Sequence, residues 1–153
     1  MEKHRAGTGK FMLGLFCCFA LLIGTALLFG TQESAPVSAP RRFRGIRDNE
    51  GRLQLLAAFG WETEDAPAEV VEVTIPRKFD AVYESYNALQ KPLGLDLFPR
   101  RGQTVRRYTY VVKNHPYEGT VYANLLFSGD EFIGGDVCSA APDGFLTSLQ
   151  KDA

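Results

Sequence analysis

The chain has 153 residues, a formal net charge of −1 and three cysteines. With a short tail, one apolar segment and a linker set aside, roughly 110 residues remain, which suits a single domain with one core. The near-neutral charge and the lack of a long basic stretch exclude a typical nucleic-acid-binding protein. Two cysteines lie in the apolar segment, so Cys138 is alone in the domain and a disulfide within the domain is excluded.

The apolar segment is a run of 19 residues without charge or proline, beginning with Phe11 and ending with Phe29. As a helix it would span about 28 Å, close to the ~30 Å hydrocarbon core of a bilayer. It is longer than the apolar part of a typical secretory signal peptide. We therefore predict a transmembrane helix or uncleaved signal anchor, with a cleaved signal peptide as the alternative. Lys3, Arg5 and Lys10 precede it and favour a cytoplasmic N-terminus.

This anchor divides the chain into a cytoplasmic tail (1–10), the anchor (11–29), a linker (30–47) and a globular domain (48–153). The linker contains prolines and ends in the basic stretch RRFRGIR at 41–47. That stretch is either a solubilising hinge or a contact with anionic headgroups or wall polymer. With the N-terminus inside, the predicted location is the cell membrane, with a single pass and an extracytoplasmic domain.

The pattern of apolar residues predicts an α+β domain. A helix is expected to begin at Asp48 or Asn49 and to end at Gly60. Strict alternation predicts half-buried strands, and a second helix carries an apolar stripe. The remaining predicted elements are a strand at 70–75, a helix at 79–89, strands at 105–113, 120–127 and 131–138, and a final turn or short helix around Phe145, Leu146 and Leu149. We expect an antiparallel sheet of about four strands, a meander at its C-terminal end, with both helices on one face.

Several segments together resemble the family called domain of unknown function 4830. They are FGWE (59–62), VTIPRKFDAVYESYNALQK (73–91), GLDL (94–97), RYTYVV (107–112), YANLL (122–126) and GGDVCSA (134–140). The resemblance covers nearly the whole predicted domain. It implies a small membrane-anchored bacterial protein, mostly of Gram-positive, gut-type lineages, and it implies no activity.

One candidate for chemistry is a cysteine nucleophile. A hairpin that turns at 128–130 would place Cys138 opposite Thr120 or Val121, at the end of the sheet where His115 lies. Asp136 shares the face of Cys138 by alternation. A thiolate, an imidazolium and a carboxylate are the groups that such a nucleophile requires. Because a free cysteine is often simply buried, structural packing is the leading interpretation of Cys138.

Other candidates are polar groups or glycines that a ligand or partner could contact. The paired glycines mark either a bulge or a close approach of another backbone, and the amides either read a ligand or cap loops. These candidates are Tyr86, Asn87, Gln90, Gly134, Gly135 and Asp136. One histidine and one cysteine in the domain match no zinc spacing, and no calcium-loop pattern occurs, so neither a metal nor a cofactor is expected.

The anchor and the weak catalytic pattern together favour a binding or interaction domain in the bacterial envelope. Its partner would be another envelope protein, a peptide or a wall component. The alternatives are a thiol-dependent enzyme that uses Cys138 with His115, and a regulatory domain that acts through a partner in the membrane.

Overall fold

The computed structural model describes residues 43–151. The predicted tail and anchor, and most of the predicted linker, lie outside the described residues. Within the described range, no helix has the length and apolar character needed to cross a membrane.

Two α-helices form close to the positions that the sequence predicts, and an aspartate caps each of them. Helix α1 is Asn49–Ala58, and the Asp48 side chain accepts a hydrogen bond from the Gly51 N–H at 2.8 Å. Helix α2 is Ala81–Ala88, and Asp80 caps it in the same way through the Tyr83 N–H. Each carboxylate satisfies an N–H that has no partner within its helix. Two short 3₁₀ helices follow α2, at Lys91–Leu93 and Phe98–Arg100.

Five strands form one antiparallel sheet in the order β1-β2-β3-β4-β5, a simple meander. They are β1 (Glu69–Thr74), β2 (Thr104–Val112), β3 (Val121–Ser128), β4 (Glu131–Ser139) and β5 (Leu146–Ser148). The prediction of an α+β domain with an antiparallel meander is confirmed, but the expected count of about four strands was too low. The fifth strand replaces the expected final turn or helix, because Leu146–Ser148 pairs with the outer edge of β4. Three residues are too few for alternation to reveal a strand.

The two helices pack on opposite faces of the sheet, so the prediction that both cover one face was wrong. Leu55 and Leu56 of α1 belong to a first core layer with Val137, whereas Tyr86 of α2 belongs to a second layer with Leu126. Successive residues of a strand point to opposite faces. The central strands are therefore buried on both sides, and the simple inside–outside alternation is lost there.

The register of β3 and β4 is shifted by two residues from a hairpin that pairs Cys138 with Thr120, and by one residue from the alternative pairing with Val121. Cys138 lies opposite Tyr122, not opposite Thr120 or Val121. The turn contributes one residue of this shift, because it contains two residues between Ser128 and Glu131 rather than three. A bulge between Leu126 and Phe127 contributes the other.

Candidate functional site

A cavity of about 370 Å³ lies between α2 and the second-layer face of the sheet. We call it the α2 pocket. Its walls are mainly apolar, and buried polar groups form its floor. The lining residues are Val73, Thr74, Pro76, Lys78, Asp80, Val82, Tyr83, Tyr86, Arg107, Asn124, Leu126, Asp136, Cys138 and Leu146. The volume is near the lower end of the range, about 300–1,000 Å³, that small-molecule sites occupy.

The floor of the α2 pocket is a hydrogen-bonded network around Asp136. The Tyr86 hydroxyl donates to one oxygen of Asp136 at 2.8 Å, and the Asn124 amide donates to the other at 2.8 Å. Thr109 in turn donates to the Asn124 carbonyl oxygen at 2.8 Å. The Asn124 amide nitrogen also lies 3.5 Å from the Cys138 sulfur. These polar groups meet because Asn124 and Asp136 are directly paired across β3 and β4.

Burial raises the pKa values of the acidic side chains around this floor. It raises the pKa of Asp136 above its ordinary value, although hydrogen bonds from Asn124 and Tyr86 and the charge of Arg107 act in the opposite direction. Burial raises the pKa of Tyr83 to about 12 and raises that of Tyr86 well above its usual range. Both phenols keep their protons at neutral pH, and the Tyr86 hydroxyl donates to Asp136.

Arg107 supplies a cation to the α2 pocket. One terminal nitrogen of its guanidinium lies 2.9 Å from a carboxylate oxygen of Glu69, and its side chain is 19 % exposed. Its Nε is fully buried, and no acceptor for that N–H is found among the described residues. A buried donor that lacks a partner costs about 1–3 kcal/mol, and more when it is charged. Because Nε has almost no accessible surface, a molecule in the pocket cannot reach it, and other atoms of Arg107 line the cavity.

Arg107 is not among the site residues predicted from the sequence. The prediction placed both helices on one face of the sheet, whereas α2 covers the other face, where Arg107 and Thr109 lie. The sequence did contain one indication of a site residue: Arg107 is charged and lies two positions before Thr109, in a strand rich in tyrosine and valine.

The structure does not bring His115 to Cys138. The His115 ring stacks with Trp61 and Phe145, at 5.7 Å and 4.8 Å between ring centroids, and both partners pack in the first core layer. Cys138 is 1 % exposed and lies on the opposite face of the sheet, beside Asn124. Burial and the charge of Lys151 lower the pKa of His115. Of the three candidates for a cysteine nucleophile, only Cys138 and Asp136 are neighbours.

The amide candidates hold the chain that follows α2. Asn87 donates to Asp96 at 2.8 Å and accepts from the Leu97 N–H at 2.7 Å. Gln90 is fully buried, and its side-chain oxygen accepts from the Gly135 N–H at 2.8 Å.

The paired glycines leave room for Gln90. A Cβ at Gly134 would lie 3.0 Å from the Gln90 oxygen. Of the six ligand or partner candidates, only Tyr86 and Asp136 line the α2 pocket.

Metal ligation has no cluster to support it in the part of the chain that the structure describes. Residues 43–151 contain no group of three or more histidine, cysteine, aspartate or glutamate side chains placed to hold an ion.

The fold is a small α+β domain in which a five-stranded antiparallel meander lies between two helices. The α2 pocket opens beneath the second helix. The chain belongs to the family described as Domain of unknown function (DUF4830), whose model matches residues 55–137. That match confirms the resemblance seen in the sequence. Comparison with curated proteins found no match. Comparison with solved structures found none either.

Proposed function

We propose that this chain is a non-enzymatic ligand-binding domain that takes up a small molecule in the α2 pocket. We further propose that residues 11–29 hold the domain on the outer side of a bacterial membrane. The second proposal rests on the apolar run and the basic residues before it. The ligand would then come from the envelope or the surroundings of the cell.

The observation that carries the binding proposal is the α2 pocket itself, a cavity of about 370 Å³ with mainly apolar walls and a hydrogen-bonded polar floor. A pocket with mostly apolar walls and a few directed polar groups has the usual composition of a small-molecule site.

Binding rather than thiol catalysis is favoured by the surroundings of Cys138. An activated thiol needs a base within hydrogen-bonding reach, typically about 2.6–3.2 Å. Both oxygens of the neighbouring Asp136 already accept hydrogen bonds from Tyr86 and Asn124. His115 packs in the other core layer, so no imidazole lies beside Cys138. The Cys138 thiol thus contributes to the packed floor of the site.

A pocket-filling variant tests the proposal. Val82 lines the α2 pocket and is half-buried, so Val82→Trp should place an indole in the cavity. The full chain, in lipid nanodiscs, is exposed to a bacterial small-molecule extract, washed, and examined by native mass spectrometry. We expect bound small molecules on the wild type and their loss from Val82→Trp.

The matched control is Ala88→Trp, an equal addition of bulk at an exposed position of α2. This variant should retain the molecules that the wild type binds. The proposal is wrong if the wild type binds nothing specific, or if Val82→Trp and Ala88→Trp bind the same molecules equally well.

A further inference from the structure

We infer that the domain rests on the membrane through a basic–aromatic tip, and that the surface this tip fits is a bilayer with anionic lipid headgroups. The tip consists of Phe98, Arg101 and Arg77. This inference rests on the proposed anchor, residues 11–29, and adds the part of the domain that meets the lipid.

The exposed ring of Phe98 is the apolar part of the tip. Phe98 is 47 % exposed, although most large apolar side chains of the described residues are buried or half-buried. The Phe79 ring packs edge-on against it, at 5.7 Å between centroids, and the Arg101 guanidinium lies 3.6 Å from its centroid. These contacts hold the ring in place while much of it faces solvent. Exposed apolar rings beside cations are typical of surfaces that enter the layer between headgroups and acyl chains.

The two arginines of the tip are exposed and lack an acidic partner. Arg101 donates from Nε to the Phe98 carbonyl oxygen at 2.9 Å. The Arg77 side chain packs against Gly102, where an added Cβ would lie 3.1 Å from the Arg77 Cγ. Neither arginine forms an ion pair with a carboxylate among residues 43–151. Two such cations beside an exposed ring complement an anionic surface.

The tip lies at the end of the domain where the chain arrives from the proposed anchor. Arg44, near the start of the described chain, lies 3.3 Å from one oxygen of Glu131, and Arg100 lies 2.7 Å from the other. Arg100 directly precedes Arg101. Residues 30–42 separate the proposed anchor from this end and contain two further arginines. The part of the chain that would emerge from the bilayer therefore leads to the tip.

The opposite end of the sheet is unsuited to an anionic surface. It is formed by the loops between β2 and β3 and between β4 and β5, and by the segment after α1, which are joined by hydrogen bonds through Asn114 and Tyr117. Among the described residues at that end, the acids outnumber the cations: Glu62, Glu64, Glu118 and Asp143 against Lys113 and Lys151. An anionic bilayer would repel this end and attract the tip.

The test measures the distance of the tip from lipid. The full chain is placed in nanodiscs that contain phosphatidylglycerol and a spin-labelled lipid. Phe98→Cys carries a nitrobenzoxadiazole probe in a chain with Cys17→Ala and Cys18→Ala, in which Cys138 is too buried to be labelled. We expect the spin label to quench this probe, and we expect the quenching to be lost when phosphatidylcholine replaces phosphatidylglycerol.

Thr120→Cys with the same probe is the matched control, because Thr120 is exposed at the opposite end of the sheet. Its probe should not be quenched in either lipid. Arg77→Gln and Arg101→Gln should each lower the ratio of docked to undocked domain about fivefold, the effect of one basic residue at an anionic surface. Lys113→Gln removes the same charge from the opposite end and should not lower that ratio.

The outcomes separate this inference from the proposed anchor. Equal quenching at positions 98 and 120, or equal effects of Arg101→Gln and Lys113→Gln, would overturn the tip. A chain that enters the nanodiscs with an unquenched probe at position 98 would also overturn the tip, while the anchor stands. A chain that does not enter the nanodiscs would overturn the anchor, and the inference would fall with it.

Discussion

At the scale of single residues, a buried carboxyl group controls the polar floor of the α2 pocket. Asp136 is 4 % exposed and keeps both oxygens engaged, one by Tyr86 and the other by Asn124. Burial nevertheless dominates and raises its pKa from the ordinary value of 3.8. A carboxyl with a raised pKa holds its proton more tightly in the folded state than in the unfolded state.

This shift has a defined consequence for stability. Between pH 3.8 and the higher pKa of folded Asp136, the folded chain binds more protons than the unfolded chain. The free energy of unfolding contributed by Asp136 should therefore be greatest below this window and should fall as pH rises through it. Asp136→Asn removes the titrating group, so the stability of the wild type relative to Asp136→Asn should decline as pH rises from about 4.

The measurement is urea unfolding of the full chain in nanodiscs at a series of pH values, followed by tryptophan fluorescence. Asp136→Asn is expected to be less stable at acidic pH, because the amide keeps one accepting oxygen where Asp136 uses two, for Tyr86 and Asn124. The pH dependence of the difference is the readout. A difference that grows with rising pH would show that hydrogen bonding outweighs burial at Asp136.

At the scale of secondary-structure elements, the short helix α2 explains why a pocket exists. Eight residues of α-helix extend about 12 Å, whereas the nine-residue strand β2 extends about 30 Å. Helix α2 therefore cannot cover the whole second-layer face. The chain after α2 approaches β4, where the Gln90 side chain accepts a hydrogen bond from the Gly135 N–H. That approach requires close contact with Gly134 and Gly135 of β4.

The two glycines should respond differently to alanine substitution. A Cβ at Gly135 would lie 2.5 Å from the Asn124 backbone oxygen, which cannot move without disturbing β3. A Cβ at Gly134 would meet the side chains of Gln90 and Leu97 at 3.0 Å and 3.2 Å, and these can adjust. We expect Gly135→Ala to lower the free energy of unfolding by about 3 kcal/mol, and Gly134→Ala by clearly less. Denaturant titration of the two variants measures this, and equal losses would contradict the close approach at Gly135.

At the scale of the whole molecule, the meander between two helices leaves Cys138 inside the domain. Its 1 % exposure predicts that a membrane-impermeant maleimide will not reach it in the folded chain. An exposed cysteine is needed to test where the domain lies, and Ser85 on the outer side of α2 is a suitable position.

The experiment uses a chain with Cys17→Ala and Cys18→Ala, with and without Ser85→Cys. If the domain is extracytoplasmic, Ser85→Cys should be labelled on intact cells, while the chain with Cys138 alone should be labelled only after denaturation. Labelling of Ser85→Cys that requires permeabilised cells would place the domain inside and overturn the proposed topology. Labelling of Cys138 in the folded chain would mean that the pocket floor opens.

The amino-acid sequence by itself determined the two helices, four of the five strands and the family. Caps at Asp48 and Asp80 are local hydrogen-bonding features, and alternation along a strand reports which residues share a face. Only the tertiary structure decided which face each helix covers, because alternation does not say which of two half-apolar faces receives a helix. The placement of α2 puts Arg107 at a pocket, and the register of β3 and β4 pairs Asn124 with Asp136. His115 and Cys138 lie on opposite faces of the sheet. The candidate site is therefore a product of packing between distant segments, and no short motif could have revealed it.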